Sequence, residues 1–513
     1  MIKTIAVAHR DRERLREIVQ VASRFGLGVL LARFGLERSG KAREADADSD
    51  PDSLPRRTRL ALEALGPTFI KLGQILATRS DLLPPEWTSE LEQLHSQAPT
   101  LAFADLRAAV EEALGEPPET AFATFDPEPL AAASMAQVHC ATLHAEEGAQ
   151  GTEVVLKIRR PGIRPRVEAD LRLIAQLAAI AESASAEMKR FQPAALLQQL
   201  TEAILEELDF TIEGRNADRL RADFTRNPKI VVPRIHWGWS SETLLVMDYV
   251  EGIAPRDGVR LRAAGIDPHA IASLGADAVL DMVLVNGRFH GDPHPGNLLC
   301  LTGNRIALLD CGMIGHVSPR RREELIDFVQ ALANGNPKGL ADVLAIWSAG
   351  SDASPDKVQL AAERLVQRHS GGRLVLSEMV ADFMALMRSE RMTMPPDLLL
   401  IFKALVTLDG VLLQIAPDFD LSEAMRRSSM RILQARLSPD HWQPNVQALL
   451  REVGRIGDDA PRLLRSAVQK LEADRPLPPP PPDYGPAIAS AGRWIAGAIV
   501  VGAGVIAAAL LWV

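Results

Sequence analysis

The chain has 513 residues, 47% of them hydrophobic and 24% charged, and its 57 Lys and Arg against 66 Asp and Glu leave a net charge of −9. At about 150 residues per domain this length suggests about three folding units, and a mean hydropathy near zero excludes a disordered or collagen-like chain. Two Tyr and an acidic balance argue against a nucleic-acid partner, while Cys140, Cys300 and Cys311 are too few and scattered for a disulfide framework or a CxxC zinc site.

Residues 1–38 are predicted to be helical, with Arg10, Arg12, Arg14 and Arg16 among apolar positions such as Ile18 and Val19. Such a basic amphipathic helix either lies on an anionic membrane surface or docks on the body with its charges solvated. Residues 41–55 (KAREADADSDPDSLP) form an acidic, proline-punctuated linker. A helical extension over 56–125 follows, in which Pro67 is placed to open a turn and Lys71 and Gln74 lie three apart on one face. The period changes near Pro127: 153–158 (EVVLKI) and 243–247 (TLLVM) are short and β-branched, hence strands.

Helix is expected over 166–184, 193–221 and 271–285, then a loop over 287–297 and a strand over 304–310 that ends in Asp310. Beyond the N-cap pair Ser318-Pro319, helices dominate to about Ala473, and the Met and Leu stripe at 379–386 belongs to the core. Residues 476–493 open on PLPPPPP, a stiff polyproline spacer. The last 20 residues, 494–513, carry no charge. At 1.5 Å per residue they make about 30 Å of helix, the thickness of a bilayer core. Trp494 and Trp512 mark its ends, and Lys470, Arg475 and Arg493 precede it, so the globular body is expected on the cytoplasmic side of an inner membrane. No secretory signal is legible, because charges from Arg10 to Glu17 interrupt any early apolar run.

The chemistry concentrates in His290-Gly291-Asp292-Pro293-His294-Pro295-Gly296-Asn297, followed by Asp310-Cys311-Gly312. Asp and Asn five apart, then a strand ending in Asp-x-Gly, suit phosphoryl transfer. Asp292 can orient or deprotonate a nucleophile, while Asn297 and Asp310 offer hard oxygen ligands to Mg²⁺. Lys157, at the end of a strand, can pair with nucleotide phosphates. A metal hydrolase built on His290, Asp292 and His294 is the rival reading; it leaves Asp310 unused.

These motifs, in this order, resemble the UbiB family of atypical protein-kinase-like proteins associated with ubiquinone biosynthesis, over roughly Arg57 to Arg436. Phe69-Ile70-Lys71-Leu72-Gly73-Gln74 is similar to its KxGQ motif, and 131–139 (AAASMAQVH) to its alanine-rich nucleotide loop. Val154-Val155-Leu156-Lys157 resembles the lysine strand, and Glu207-Leu208-Asp209 the ExD segment, with Glu213 six residues on. The resemblance implies an α+β, two-lobed protein-kinase-like fold: N-lobe 126–252, C-lobe 253–440, a helical tail over 441–475, a helical N-terminal extension and a C-terminal transmembrane helix.

It also implies roles. Lys157 and Glu213 would form the ion pair that anchors the ATP phosphates; Ala131, Ala132, Ala133 and Ser134 would line them; Asp248, Tyr249 and Val250 would hold the adenine; Asn297 and Asp310 would bind Mg²⁺, with Asp292 as catalytic carboxylate. Lys71 and Gln74 would fold over the site, with Lys71 facing Glu207 and Asp209. Cβ atoms at 131–133, where kinases have glycines, reduce the loop's freedom to wrap phosphates. Cys311 stands where the family usually has Phe, which alters the packing behind Asp310. Few residues separate Gly312 from Ser318, leaving no room for an activation loop. The expected activity is therefore a membrane-anchored, Mg²⁺-dependent kinase or ATPase acting on a lipid or quinone precursor, with ubiquinone-biosynthesis enzymes as partners. The alternative is a nucleotide-binding scaffold that organises those enzymes.

Overall fold

The computed structural model describes residues 11–27, 53–77, 83–94, 99–145, 151–184, 193–348, 354–370, 376–389 and 395–421, with Glu423, Ala424 and Arg427. All of these belong to one compact unit, Met1–Ala435; the second unit, Arg436–Val513, lies outside the described residues, and with it the expected tail, spacer and membrane span.

The extension begins with α1 (Arg12–Arg24), α2 (Leu54–Leu65), α3 (Pro67–Ala77) and α4 (Pro85–Leu91). The helical run around residues 60–76 is two helices. Gly66 stands between them at φ +100°, a conformation glycine adopts freely, and Pro67 opens the second. Helix α1 takes the docked alternative: Ile18 and Ala22 are buried, Arg14 forms a buried ion pair with Asp170 and donates to the Leu65 carbonyl, and Arg172 pairs with Asp11.

After α5 (Phe103–Leu114) and α6 (Pro118–Ala121) come strands β1 (Thr124–Ala132), β2 (Ala136–Thr142) and β3 (Glu153–Arg159). With β5 (Leu244–Asp248) they form an antiparallel sheet in the order β1-β2-β3-β5. Side chains alternate across a strand. Val154, Leu156 and Ile158 therefore face Phe103, Leu106 and Val110 of α5, while Lys157 emerges on the other face. Residues 136–139, expected in the nucleotide loop, belong to β2; the turn itself is short, closed by Ala133 N–H to the Ala136 carbonyl at 2.8 Å.

Helices α7 (Ile163–Ala184), α8 (Pro193–Leu208) and α9 (Phe210–Asp223) follow. The helix expected over 193–221 breaks at Asp209, whose carboxylate accepts from Thr211 N–H and caps α9. Strand β4 (Ile230–Val231) precedes β5, and the second half of the chain opens with α10 (Gly258–Ala263) and α11 (Pro268–Asp281). Helix α11 runs into a π-helical turn, Met282–Asn286, that delivers the chain to β6 (Arg288–His290). Strands β7 (Leu298–Leu301) and β8 (Arg305–Leu308) pair as a hairpin beside β4, and β9 (Ile314–His316) pairs antiparallel with β6.

The helices α12 (Pro319–Ala333), α13 (Pro337–Trp347), α14 (Pro355–His369), α15 (Leu376–Ser389) and α16 (Pro396–Ile415) complete the described body. Ser318 caps α12 as its sequence predicts. Phe328, Trp347, Phe383 and Phe402 interlock there with centroids 4.9–6.2 Å apart, and Met379 and Phe383 are core residues as expected. Truncating Trp347, 1% exposed, would cost about 3–5 kcal/mol. Among the described residues, two helical stretches are long and apolar enough to cross a membrane, Pro268–Asn286 and Asp397–Ile415, with mean hydropathies of 1.4 and 2.0. Both pack into this core, which accounts for their composition.

Candidate active site

Lys157, aimed off the sheet by the alternation of β3, meets Glu213 in the first turn of α9: Nζ lies 2.8 Å from Oε1 and 2.7 Å from Oε2. Its third neighbour is Asp310 Oδ2 at 3.6 Å, at the end of the segment that follows β8. One ammonium therefore serves two carboxylates. Burial opposes the charge on Lys157, but Asp310 and Glu213 outweigh it and hold its pKa above the ordinary lysine value. Lys157 lowers Asp310 below the usual carboxylate range, helped by Gly312 N–H, which donates to Oδ1 at 2.9 Å. Glu213 goes the other way: burial and the Asp310 charge outweigh Lys157 and push it up to about 7.

The extension supplies a second cation. Lys71 Nζ on α3 lies 2.9 Å from Glu207 Oε2 on α8. Burial opposes its charge too, yet Glu207, then Asp310 and Asp292, keep its pKa raised. Lys71 therefore stands within electrostatic reach of the same two aspartates expected to do the chemistry. Gln74, one turn on, donates instead to the Leu94 carbonyl at 3.3 Å. Asp209, expected to face Lys71, corrects that expectation: both Thr211 N–H and Thr211 Oγ1 donate to its Oδ1, because the chain needs a cap between α8 and α9.

The loop after β6 is folded on itself. His294 N–H donates to the Asp292 carbonyl at 2.8 Å, Asn297 N–H to the His294 carbonyl at 2.8 Å, and Asn297 Nδ2 to the Asp292 carbonyl at 3.1 Å. Asn297 thus spends its amide donor on the loop, which leaves its side-chain oxygen as the atom suited to a cation. Burial lowers the pKa of His290 and keeps it neutral; its Nδ1 accepts from Asp292 N–H at 3.2 Å. His290 is thereby a brace under Asp292, which argues against the His290, Asp292, His294 metal-ligand set.

The residues present fit Mg²⁺. Four carboxylates (Glu207, Glu213, Asp292 and Asp310) share two ammonium groups, Lys71 and Lys157, an excess of negative charge that a divalent cation would balance. Mg²⁺ takes oxygen donors, typically one or two carboxylates completed by phosphates and water, and Asp310 with Asn297 is a donor set of that kind.

At the expected adenine edge, Asp248 N–H pairs with the Arg234 carbonyl and Tyr249 N–H with the Glu153 carbonyl. The Asp248 carboxylate accepts from Arg234 N–H and lies 2.7 Å from His236 Nε2. His236 is therefore a brace of this edge. His139 lies against Gln137 and the Asp126 carbonyl inside the sheet.

Two residues at the site went unread in the sequence. Arg160 donates to the carbonyls of Ala133 and Pro99, pinning the alanine turn; nothing in residue spacing marks an arginine that binds carbonyls. Asn216 donates to the Cys311 carbonyl at 3.2 Å. Its position one helical turn after Glu213 is a signal that could have found it.

A family model described as the ABC1 atypical kinase-like domain matches residues 93–344, and one described as the UbiB helical domain matches 368–420. A Xanthomonas campestris pv. campestris (strain B100) protein named "Probable protein kinase UbiB" is 33% identical over 470 residues, covering 88% of this chain and 84% of its own length. Its namesake in Xylella fastidiosa (strain 9a5c) is 31% identical over 477 residues, covering 90% and 85%. A solved chain titled as the complex of Rv3197 with erythromycin, from Mycobacterium tuberculosis, is 21% identical with a TM-score of 0.48, covering 69% of this chain and 90% of that one. With a kinase-like domain, a helical domain and relatives above 30% identity over most of its length, the chain belongs to the UbiB family of ABC1 atypical kinase-like proteins.

Proposed function

We propose that the chain is an Mg²⁺-dependent, ATP-using atypical kinase or ATPase that serves ubiquinone biosynthesis at a membrane, with a small lipid or quinone precursor rather than a protein as its partner. The observation that carries the nucleotide part is the position of Lys157 between Glu213 and Asp310. That arrangement holds a charged ammonium where ATP phosphates would pair with it and keeps Asp310 ionised as a cation ligand. Bound Mg²⁺ would neutralise phosphate charge. Around it, Lys157 pairs with phosphate oxygens, Asp292 orients the attacking hydroxyl or water and accepts its proton, and the Asp248–Val250 edge receives the base. Ala131 and Ala132 at the end of β1, with Ala133 and Ser134 in the turn after it, bound the phosphates, and Arg160 ties that turn through the Ala133 carbonyl.

The relatives' names contain "protein kinase", yet a small acceptor is favoured here. Between Gly312 and Ser318 the chain forms β9 and pairs at once with β6, so a peptide-seating loop has no place. The apolar segment 494–513 supplies the membrane anchor in this reading, with the body on the cytoplasmic side.

The experiment is ATP turnover by the full-length protein with lipid vesicles and quinone precursors, with mass-spectrometric analysis of small molecules for a new phosphate. The expected result is lipid-stimulated turnover that Asp310→Asn abolishes. If Asp310→Asn still restores quinone levels in a deletion strain, the chain works as a nucleotide-binding scaffold and the catalytic reading fails.

A further inference from the structure

The Cys311–Gly312 peptide group is held at both ends. Its carbonyl accepts from Asn216 Nδ2 at 3.2 Å, and its N–H donates to Asp310 Oδ1 at 2.9 Å. Rotation of this one peptide plane would break both bonds, so the Asn216 side chain determines where the Gly312 N–H points. That N–H in turn occupies Oδ1 of Asp310, while Oδ2 faces Lys157. Cys311 stands here in place of the aromatic residue of the family pattern: it is small and 1% exposed, within the main core. A side chain this small offers a backbone turn less packing control than an aromatic ring.

Asn216 sits three residues after Glu213 on α9, the same helix face. One rigid face therefore addresses both halves of the site. Glu213 sets Lys157 on the sheet, and Asn216 sets the peptide behind Asp310. The far end of the same helix is tied as well, since Asp223 pairs with Arg288 at the start of β6, two residues before His290.

We propose that Asn216 is a positioning residue for the metal-binding carboxylate: by holding the 311–312 peptide plane it fixes the orientation of Asp310, a task that side-chain packing cannot perform with Cys311 in place. This deepens the nucleotide and metal reading above and rests on it. Asn216 touches neither nucleotide nor cation and acts only through the peptide.

The test is Mn²⁺ titration of the full-length protein by electron paramagnetic resonance with a non-hydrolysable ATP analogue bound, beside analogue binding in EDTA. Asn216→Leu keeps the side-chain size and removes the donor. It should weaken Mn²⁺ binding by about 10- to 100-fold, the range for loss of a partner that orients a metal ligand, and leave metal-free analogue binding unchanged. Should Asn216→Leu fail to fold, Asn216→Ser, which is smaller and too short to reach the carbonyl, carries the same expectation. Variants that bind Mn²⁺ as wild type does, or that lose metal-free analogue binding equally, overturn the inference while leaving the functional reading intact. A wild type that binds no Mn²⁺ with the analogue overturns that reading and this inference with it.

Discussion

The ammonium of Lys71 lies 2.9 Å from the carboxylate of Glu207, joining a helix of the N-terminal extension to the helix that leads into the active-site segment. The two side chains are 16% and 34% exposed, so water screens the pair only in part. Lys71→Met and Glu207→Gln should therefore couple. In urea unfolding the double variant should be more stable than the two single losses summed would allow, by about 1 kcal/mol. Strict additivity would mean that the extension is held by its apolar contacts alone.

Glu213 makes stability depend on pH in an unusual direction for a carboxylate. Its pKa is about 7 in the folded chain against an ordinary 4.5. Below 4.5 both states hold the proton; between there and about 7 the folded state keeps a proton that the unfolded state has released. This contribution is therefore fully present at low pH and is lost as pH rises through about 7. Urea midpoints in EDTA should fall from pH 5 to pH 7.5 more steeply for wild type than for Glu213→Gln. Parallel slopes would show that Glu213 stays ionised beside Lys157.

Arg14 and Asp170 form an ion pair whose side chains are 8% and 2% exposed. Removing one partner strands a buried charge, so Arg14→Ala should destabilise the protein by about 3–5 kcal/mol in urea unfolding. Pairing Arg14→Met with Asp170→Leu should restore most of that loss. An unchanged midpoint for Arg14→Ala would mean that α1 is free of the body and available to a membrane.

Gly312 is the point where a methyl group would interfere with the metal ligand. A Cβ there would stand 3.0 Å from Asp310 Oδ1, close enough that the carboxylate must shift. Gly312→Ala should raise the Mg²⁺ concentration for half-maximal ATP turnover about tenfold with little change in urea midpoint. Equal Mg²⁺ dependence would place the Asp310 carboxylate elsewhere during turnover.

Much of this site was legible because its residues carry their chemistry in the chain order: Lys157 on a β-branched strand, Asp292 and Asn297 five apart in a loop, Asp310 at a strand end. Local rules also placed Pro67 and Ser318 at helix starts. The misreadings arose where a local demand overrode a pattern. Asp209 looked like a cleft acid, but a chain turning between two helices needs a cap more than Lys71 needs a second partner. Residues 136–139 were expected in the nucleotide loop by resemblance; β2 forms there because they pair antiparallel with β1 on one side and β3 on the other. Asn216, Arg160 and His236 act on backbone carbonyls or on a carboxylate across the fold, and such partners exist only once the tertiary structure does.

A metal-dependent ATP site at Lys157, Asp310 and Asn297 makes a distinct demand on nucleotide binding, apart from turnover. Calorimetric titration of ATP into the full-length protein, with Mg²⁺ and with EDTA, tests it most directly on wild type, Lys157→Met and Asp310→Asn. Wild type should bind ATP tightly and more strongly with Mg²⁺, Asp310→Asn should lose that Mg²⁺ effect, and Lys157→Met should bind weakly under both conditions. ATP affinity in wild type that ignores Mg²⁺, or an Asp310→Asn variant with an undiminished Mg²⁺ response, would contradict it.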